Sequence, residues 1–293
     1  MNALTRPLVA LIIALTPLLL ASAQSDEERE TAYAGCVERY FDYYEAERPD
    51  SAELMLRHAL ELMPEAEGNF LLLGNLAELV VARGDSTEAV DLLSQAVSRQ
   101  PAIPELRERR ADLLIGIGRV ETALADYDEL VSKFPNSEIY RYKRVLAYEQ
   151  MGLWSAAEGD LRKILAHNAD AYLPRVKMAE VYEKQGRLVE AEKLLSYLIE
   201  QQPAMAPAYR ARARLLIRQG RKSDALADVR EIIRRSGDRV DAEEYLLRAE
   251  IWMLYGEEKE AEEDLRRATE AGATPAEVAQ AREEVRQIKH SLL

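Results

Sequence analysis

Small residues recur along this chain with a period of about 34 residues. An alanine defines the series, at Ala89, Ala123, Ala157, Ala191, Ala225 and Ala261. A glycine precedes each alanine by five positions, at Gly84, Gly118, Gly152, Gly186, Gly220 and Gly256. A constant period of this length is typical of a stack of small similar units rather than of one closed globule. The spacing therefore predicts a repeat array.

The stretch 172–205 shows what one unit contains. Met178, Ala179 and Tyr182 are spaced as on one face of a helix, and Gly186 follows as a C-terminal stop signal. A second helical run ends before Pro203. Each unit is therefore predicted to be two helices joined by a tight turn, with small residues where the two helices approach closely.

This order of small residues, turn glycine and closing proline resembles the tetratricopeptide repeat (TPR). The resemblance implies an all-α, right-handed α-solenoid of about seven helix-turn-helix repeats. The predicted repeats are 33–66, 70–103, 104–137, 138–171, 172–205, 206–241 and 242–275. In the first of them Glu47 replaces the turn glycine, which is typical of an N-terminal cap repeat. Thr274 and Pro275 predict the start of a capping helix over 276–293.

Residues 1–23 have the pattern of a secretory signal peptide. Arg6 precedes an apolar run over 8–20, and Ala21-Ser22-Ala23 fits a cleavage site. The run is shorter than the roughly 20 residues that span a bilayer. We expect a secreted, periplasmic protein that starts near Gln24, has a short linker over 24–32 and spans no membrane after cleavage. The alternative is an uncleaved N-terminal anchor.

Composition restricts the chemistry further. A net charge of −13 disfavours nucleic acid as a partner and favours a basic protein segment. Cys36 is the only cysteine, so no intrachain disulfide can form. The three histidines lack the spacing of metal ligands, and no nucleophile or phosphate-loop motif occurs. We expect no metal, no cofactor and no enzymatic activity.

Charged residues follow a second rule inside the repeats. Four repeats carry an arginine in the first helix and an aspartate sixteen positions later: Arg110 and Asp126, Arg144 and Asp160, Arg212 and Asp228, Arg248 and Asp264. Two other repeats have Leu76 with Leu92 and Met178 with Leu194 at the same positions, and Arg39 breaks the rule opposite Met55. The rule predicts structural ion pairs within repeats. The alternative is an arginine row that binds an anionic ligand.

The resemblance also implies that the first helix of each repeat lines a concave groove. Candidate partner-binding residues on that surface are Phe41, Tyr44, Tyr142, Glu180, Glu183, Arg210, Arg214 and Arg218. The three arginines either hold an acidic group or are neutralised by the two glutamates of the preceding repeat. The two aromatic residues either form a pocket for an apolar anchor or pack into the core of the cap repeat.

Together these features predict a protein–protein interaction adaptor or scaffold of the cell envelope. It would bind a segment of a protein or peptide partner in its concave groove. One alternative is a self-assembling structural module, which would make the chain a homo-oligomer. The other is an accessory component of a polysaccharide or outer-membrane export or assembly machine.

Overall fold

The structure, a computed structural model, describes residues 26–237 and 239–291. The predicted signal peptide lies outside the described residues. The described part of the chain contains fifteen α-helices and no strand, in agreement with the all-α prediction. The helices form two compact units, the first ending at Asn136 and the second beginning at Ser137.

Unit 1 consists of three helical hairpins. Its helices are α1 (Asp26–Glu45), α2 (Pro49–Leu62), α3 (Asn69–Arg83), α4 (Ser86–Arg99), α5 (Pro104–Gly116) and α6 (Val120–Lys133). Each odd-numbered helix packs against the helix that follows it, and α2 and α4 contact the hairpins that come next.

Unit 2 consists of four hairpins and a final helix. Its helices are α7 (Glu138–Gln150), α8 (Trp154–His167), α9 (Tyr172–Lys184), α10 (Leu188–Gln201), α11 (Ala206–Arg218), α12 (Lys222–Ser236), α13 (Ala242–Tyr255), α14 (Glu258–Glu270) and α15 (Pro275–Ser291). The last helix packs mainly on α13 and touches α14.

The periodic small residues lie where the two helices of a hairpin meet. The six alanines of the repeat series are all 1% exposed or less. The six glycines of the turn series all have positive φ angles, for example +97° at Gly84 and +78° at Gly186. An L side chain is disfavoured in that conformation, which explains why glycine ends these first helices.

The first hairpin departs from the sequence expectation in two places. Helix α1 begins at Asp26, so the expected linker is helical from there. Its first turn holds Asp26, Glu27 and Glu28, and acidic residues stabilise a helix N-terminus. At the turn, Glu47 adopts a φ of +55°, so the hairpin keeps the left-handed turn without its glycine.

At the N-terminus of α15, Thr274 and Glu277 cap each other through two hydrogen bonds. The Thr274 backbone N–H donates to Glu277 Oε2 at 2.7 Å, and the Glu277 N–H donates to Thr274 Oγ1 at 3.3 Å. These two bonds form a capping box, and Pro275 occupies the first helical position. The predicted start of the final helix is therefore present, and α15 covers one side of α13.

Candidate partner-binding surface

All four predicted arginine–aspartate pairs form within their own repeats. In each pair the guanidinium donates from Nε to Oδ2 and from Nη2 to Oδ1. The Nε–Oδ2 distances are 2.8 Å for Arg110–Asp126, 2.7 Å for Arg144–Asp160, 2.8 Å for Arg212–Asp228 and 2.7 Å for Arg248–Asp264. Every one of these aspartates is 5% exposed or less. Two-point bonding of this kind satisfies a carboxylate that burial has taken out of water.

A second arginine reaches two of the four aspartates, which the sequence interpretation missed. Arg107 Nη1 lies 3.1 Å from Asp126 Oδ1, and Arg141 Nη1 lies 3.3 Å from Asp160 Oδ1. Each extra arginine precedes the predicted one by three residues, so both lie on one helix face. An arginine three residues before the paired one was therefore the sequence signal that could have predicted this second contact. These guanidinium groups are occupied inside the fold, which favours a structural role over an anion-binding row.

Two of the three repeats without this pair fill the same place with apolar side chains. Leu76, Leu92 and Met178 are buried, and Leu194 is partly buried against the neighbouring core. Arg39, the exception to the rule, is exposed. The site between the two helices therefore accepts either a bonded ion pair or an apolar pair.

The three arginines of α11 are engaged, although mostly not with the glutamates expected. Arg210 pairs with the buried Glu244 and with Glu243, both on α13. Arg214 Nη2 donates to Glu243 Oε1 at 2.9 Å. The expectation that the preceding repeat neutralises the whole row is therefore wrong for these two arginines. Their partners lie on the following repeat because the first helices α11 and α13 contact each other directly.

The remaining members of the predicted row also have partners. Arg218 pairs with Glu183 of α9, as expected. Glu180 pairs with Lys177, whose Nζ lies 2.6 Å from Glu180 Oε2 and 3.3 Å from Glu149 Oε2. Tyr142 is partly buried in the neighbouring core, and burial raises the pKa of its phenol. This part of unit 2 presents a neutralised surface.

The aromatic residues of α1 divide between the core and the surface. Tyr40 is buried, and Tyr43 packs against the core from a partly buried position. Phe41 and Tyr44 are 53% and 52% exposed. Their ring centroids lie 4.9 and 5.9 Å from that of Tyr40. The core interpretation is wrong for Phe41 and Tyr44, because the buried positions of this helix are taken by its other tyrosines.

A cleft of about 320 Å³ lies between α3 and α5 in unit 1. Glu78 and Val81 line it from α3, and Arg109 and Asp112 line it from α5. Arg109 pairs with Glu78 and donates to the Gly74 carbonyl at 3.2 Å. Asp112 accepts a 2.5 Å hydrogen bond from the Tyr127 hydroxyl. Burial, together with this carboxylate, raises the pKa of Tyr127, so its phenol remains a donor.

The cleft adjoins exposed apolar side chains. Leu71, Glu78 and Val81 share one face of α3 by their helical spacing, and both apolar residues are exposed. Tyr40 belongs to the same buried core cluster as Leu73 and Ala77 of α3, so the aromatic end of α1 lies near this face. Burial, then Tyr44 and Glu78, raises the pKa of the Tyr40 phenol. We call the exposed surface of Phe41, Tyr44, Leu71, Glu78 and Val81 the first-helix face.

Successive helical hairpins that pack on one another, as they do within each unit, define a helical-repeat protein. The chain belongs to the tetratricopeptide repeat family. The family model described as a tetratricopeptide repeat matches residues 75–138, 142–206 and 210–277, which is more than half of the chain. Proteins of this family are generally non-enzymatic adaptors, and the repeats point to a protein–protein interaction scaffold.

Curated relatives match only part of their own length. Human DnaJ homolog subfamily C member 3 is 28% identical over 174 residues, covering 53% of this chain and 34% of the relative. Human tetratricopeptide repeat protein 13 is 24% identical over 119 residues, covering 41% of this chain and 14% of the relative. The chain thus spans about a third or less of the relatives it matches.

Solved structures agree with the fold. A tetratricopeptide repeat protein from Parabacteroides merdae superimposes with a TM-score of 0.73 at 28% identity, covering 87% of this chain and 99% of that one. MamA from Desulfovibrio magneticus superimposes with a TM-score of 0.50 at 16% identity, covering 59% of this chain and 99% of that one. Among the described residues, no helix is long and apolar enough to cross a membrane.

Proposed function

We propose that this chain is a non-enzymatic adaptor of the cell envelope that binds a segment of a protein partner. The observation that supports this is the first-helix face of unit 1. There Phe41 and Tyr44 are half exposed, and Glu78 and Val81 of the same face line a mainly apolar cleft. Exposed aromatic anchors beside a cleft are the features that dominate binding energy in protein interfaces.

The surface specifies the kind of segment it would bind. The cleft accepts an apolar side chain, since Val81 and Leu113 contribute apolar walls. Asp112 and Glu78 contribute carboxylates to its lining, and Arg109 contributes one guanidinium that pairs with Glu78, so the lining keeps an excess of negative charge. The net charge of −13 favours a basic partner in addition. We therefore infer a partner segment with an apolar anchor next to a basic residue.

Photo-crosslinking in cells tests this proposal. A photoreactive phenylalanine analogue placed at Phe41 should capture a protein in the envelope fraction. The same analogue at Leu54, which is 61% exposed on the second helix of the same repeat, is the matched control and should not capture it. The paired replacement Phe41→Ala and Tyr44→Ala should abolish the crosslink from a probe at Leu71.

Three results would oppose the proposal in different ways. Equal capture from both positions would mean that the first-helix face is not the binding surface. A crosslink to a second copy of this chain would favour the self-assembling alternative. Recovery of the protein from the cytoplasm with residues 1–23 still attached would contradict the envelope location.

A further inference from the structure

A cavity of about 270 Å³ lies at the C-terminal end of unit 2, between α13 and α15. Its apolar walls are Ala242, Leu246, Leu247 and Ala281. Its charged walls are four carboxylates, Glu243, Glu250, Glu277 and Glu284, against the single guanidinium of Arg214. We call this the end cavity, and its lining has an excess of negative charge.

Three of the four carboxylates already have partners. Glu243 accepts from Arg214 at 2.9 Å, and Glu277 accepts from the Thr274 backbone N–H in the cap of α15. Glu284 accepts only from the neutral amide of Gln280, at 2.9 Å. The charge of Glu284 therefore has no bonded cation among the described residues.

The fourth carboxylate, Glu250, is buried without a partner. It is 8% exposed and makes no hydrogen bond or ion pair with any described residue. Burial, with the charge of Glu284 next, raises the pKa of Glu250 to about 8, while the charges of Arg214 and Arg218 act in the opposite direction. Glu250 lines the end cavity, and its oxygens are not among the buried side-chain oxygens that lack a partner in the described part of the chain, so they open into the cavity. A carboxylate that is mostly buried, has no bonded cation and opens into a cavity is positioned to accept a cationic ligand.

We propose that the end cavity binds a lysine or arginine side chain of a protein partner. The cationic group would lie between Glu250 and Glu284, and the aliphatic stem would lie along Leu246 and Leu247. Long basic side chains divide in this way between apolar walls and a polar end. The proposal relies on the proposed function only in that the cation belongs to a protein.

The same geometry disfavours a metal ion as the occupant. No group of three carboxylate, imidazole or thiolate side chains that could hold a metal occurs in the described part of the chain. Dedicated cation sites for calcium need six or more oxygen ligands close together. A single ammonium or guanidinium needs only one or two carboxylates.

Binding should be coupled to proton release. In the free cavity the groups that face Glu250 are Glu243 on the same helix, Glu284 on α15, and Arg214 and Arg218 on α11. Glu250 is protonated at neutral pH in this setting, so an incoming cation displaces that proton to solvent. The affinity should therefore rise as the pH increases from about 6 to about 9.

Titration of the purified full chain with small probes tests the proposal by NMR. N-acetyl-lysine methylamide should shift the backbone signals of α13 and α15, and N-acetyl-norleucine methylamide should not. Glu250→Gln should weaken binding of the lysine probe about tenfold at high pH and should remove the pH dependence. Glu284→Gln should weaken it as well. Glu283→Gln, one position away and exposed, is the matched control and should bind as the wild type does.

Each opposite result would overturn a defined part of the proposal. Equal binding of the norleucine and lysine probes would make the cavity an apolar cleft. Binding of magnesium or calcium at these signals would make it a metal site. Binding of free spermidine but not of the lysine probe would remove the protein side chain as its ligand. None of these results depends on the partner captured at Phe41, so the two proposals fail separately.

Discussion

At the scale of single residues, one site between the two helices of a hairpin is filled in two different ways, by an ion pair in four repeats and by an apolar pair in two. Arg212 and Asp228 form a buried ion pair, and Met178 and Leu194 fill the equivalent place in the preceding repeat. Both solutions remove the same space from water and leave no polar atom without a partner. Because the partners must match, changing only one member of a pair should cost far more than exchanging both.

Replacing the ion pair with its own apolar counterpart tests that argument. Arg212→Met alone should lower the free energy of unfolding by about 3–5 kcal/mol, because Asp228 is left buried and unpaired. Arg212→Met with Asp228→Leu should recover most of that loss. Urea unfolding followed by tryptophan fluorescence reports on unit 2, which contains both tryptophans. If the double variant lost as much free energy of unfolding as Arg212→Met and Asp228→Leu lose when measured separately and added, the coupling would be contradicted.

Glu47 offers a stabilising change. Its φ of +55° places an L side chain in the left-handed region, which costs about 1–2 kcal/mol. Glu47→Gly should therefore raise the thermal midpoint of the purified chain. Gly84→Ala, at the equivalent turn of the next repeat with a φ of +97°, is the opposite change and should lower it. A lower midpoint for Glu47→Gly would show that the contacts of the Glu47 side chain stabilise the fold by more than its backbone strain costs.

Glu250 makes stability depend on pH. Its pKa is about 8 in the folded chain and near 4.5 when unfolded, so the native state holds more protons between these values. The contribution of Glu250 to the free energy of unfolding should be complete below about pH 4.5. It should be lost between about pH 4.5 and pH 8, at up to about 1.4 kcal/mol per pH unit. Glu250→Gln should remove this component from urea titrations, and Glu283→Gln should not. Parallel curves for wild type and Glu250→Gln would contradict the assignment.

At the scale of helices, the sequence predicted what depends on neighbours within one repeat. The hairpin period, the left-handed turns and the arginine–aspartate spacing are all local, so the pattern of residues determines them. Contacts between repeats were harder to predict. Arg210 and Arg214 bind α13 rather than α9, and the burial of Glu250 depends on how α15 packs on α13. Neither follows from spacing along the chain, because both need the angle between successive hairpins.

The cap of α15 provides a test at this scale. Thr274→Ala removes the hydroxyl that accepts the Glu277 N–H, and the loss of such a cap costs about 0.5–2 kcal/mol. We expect faster hydrogen exchange in the first turn of α15 and in the part of α13 it covers. The control is Thr122→Ala, which replaces an exposed threonine inside α6. It should leave hydrogen exchange in α13 and α15 unchanged, and because alanine favours helix it should not speed exchange in α6. Unaltered exchange in α15 would mean that packing alone holds the helix.

At the scale of the whole molecule, the two proposed contact sites belong to different units. The most exposed aromatic side chains of α1 lie in unit 1, whereas the unpartnered carboxylate lies near the end of unit 2. A repeat array can use distant repeats for different contacts because each repeat is stabilised mainly by its neighbours. We therefore expect a substitution at one proposed contact site to leave the stability around the other site unchanged.

If each repeat is stabilised mainly by the repeats next to it, a destabilising substitution in unit 2 should have only local effects. Leu161→Ala in α8 and Leu265→Ala in α14 each remove a buried side chain, at a cost of about 2–5 kcal/mol. In a repeat array the first change should raise hydrogen exchange in α7, α8 and α9, and the second should raise it in α13, α14 and α15. Mass spectrometry of peptides from each variant distinguishes the two patterns. If both variants raised exchange equally through all nine helices, unit 2 would unfold as one cooperative body, and the end cavity could not be altered without disturbing the rest of the unit.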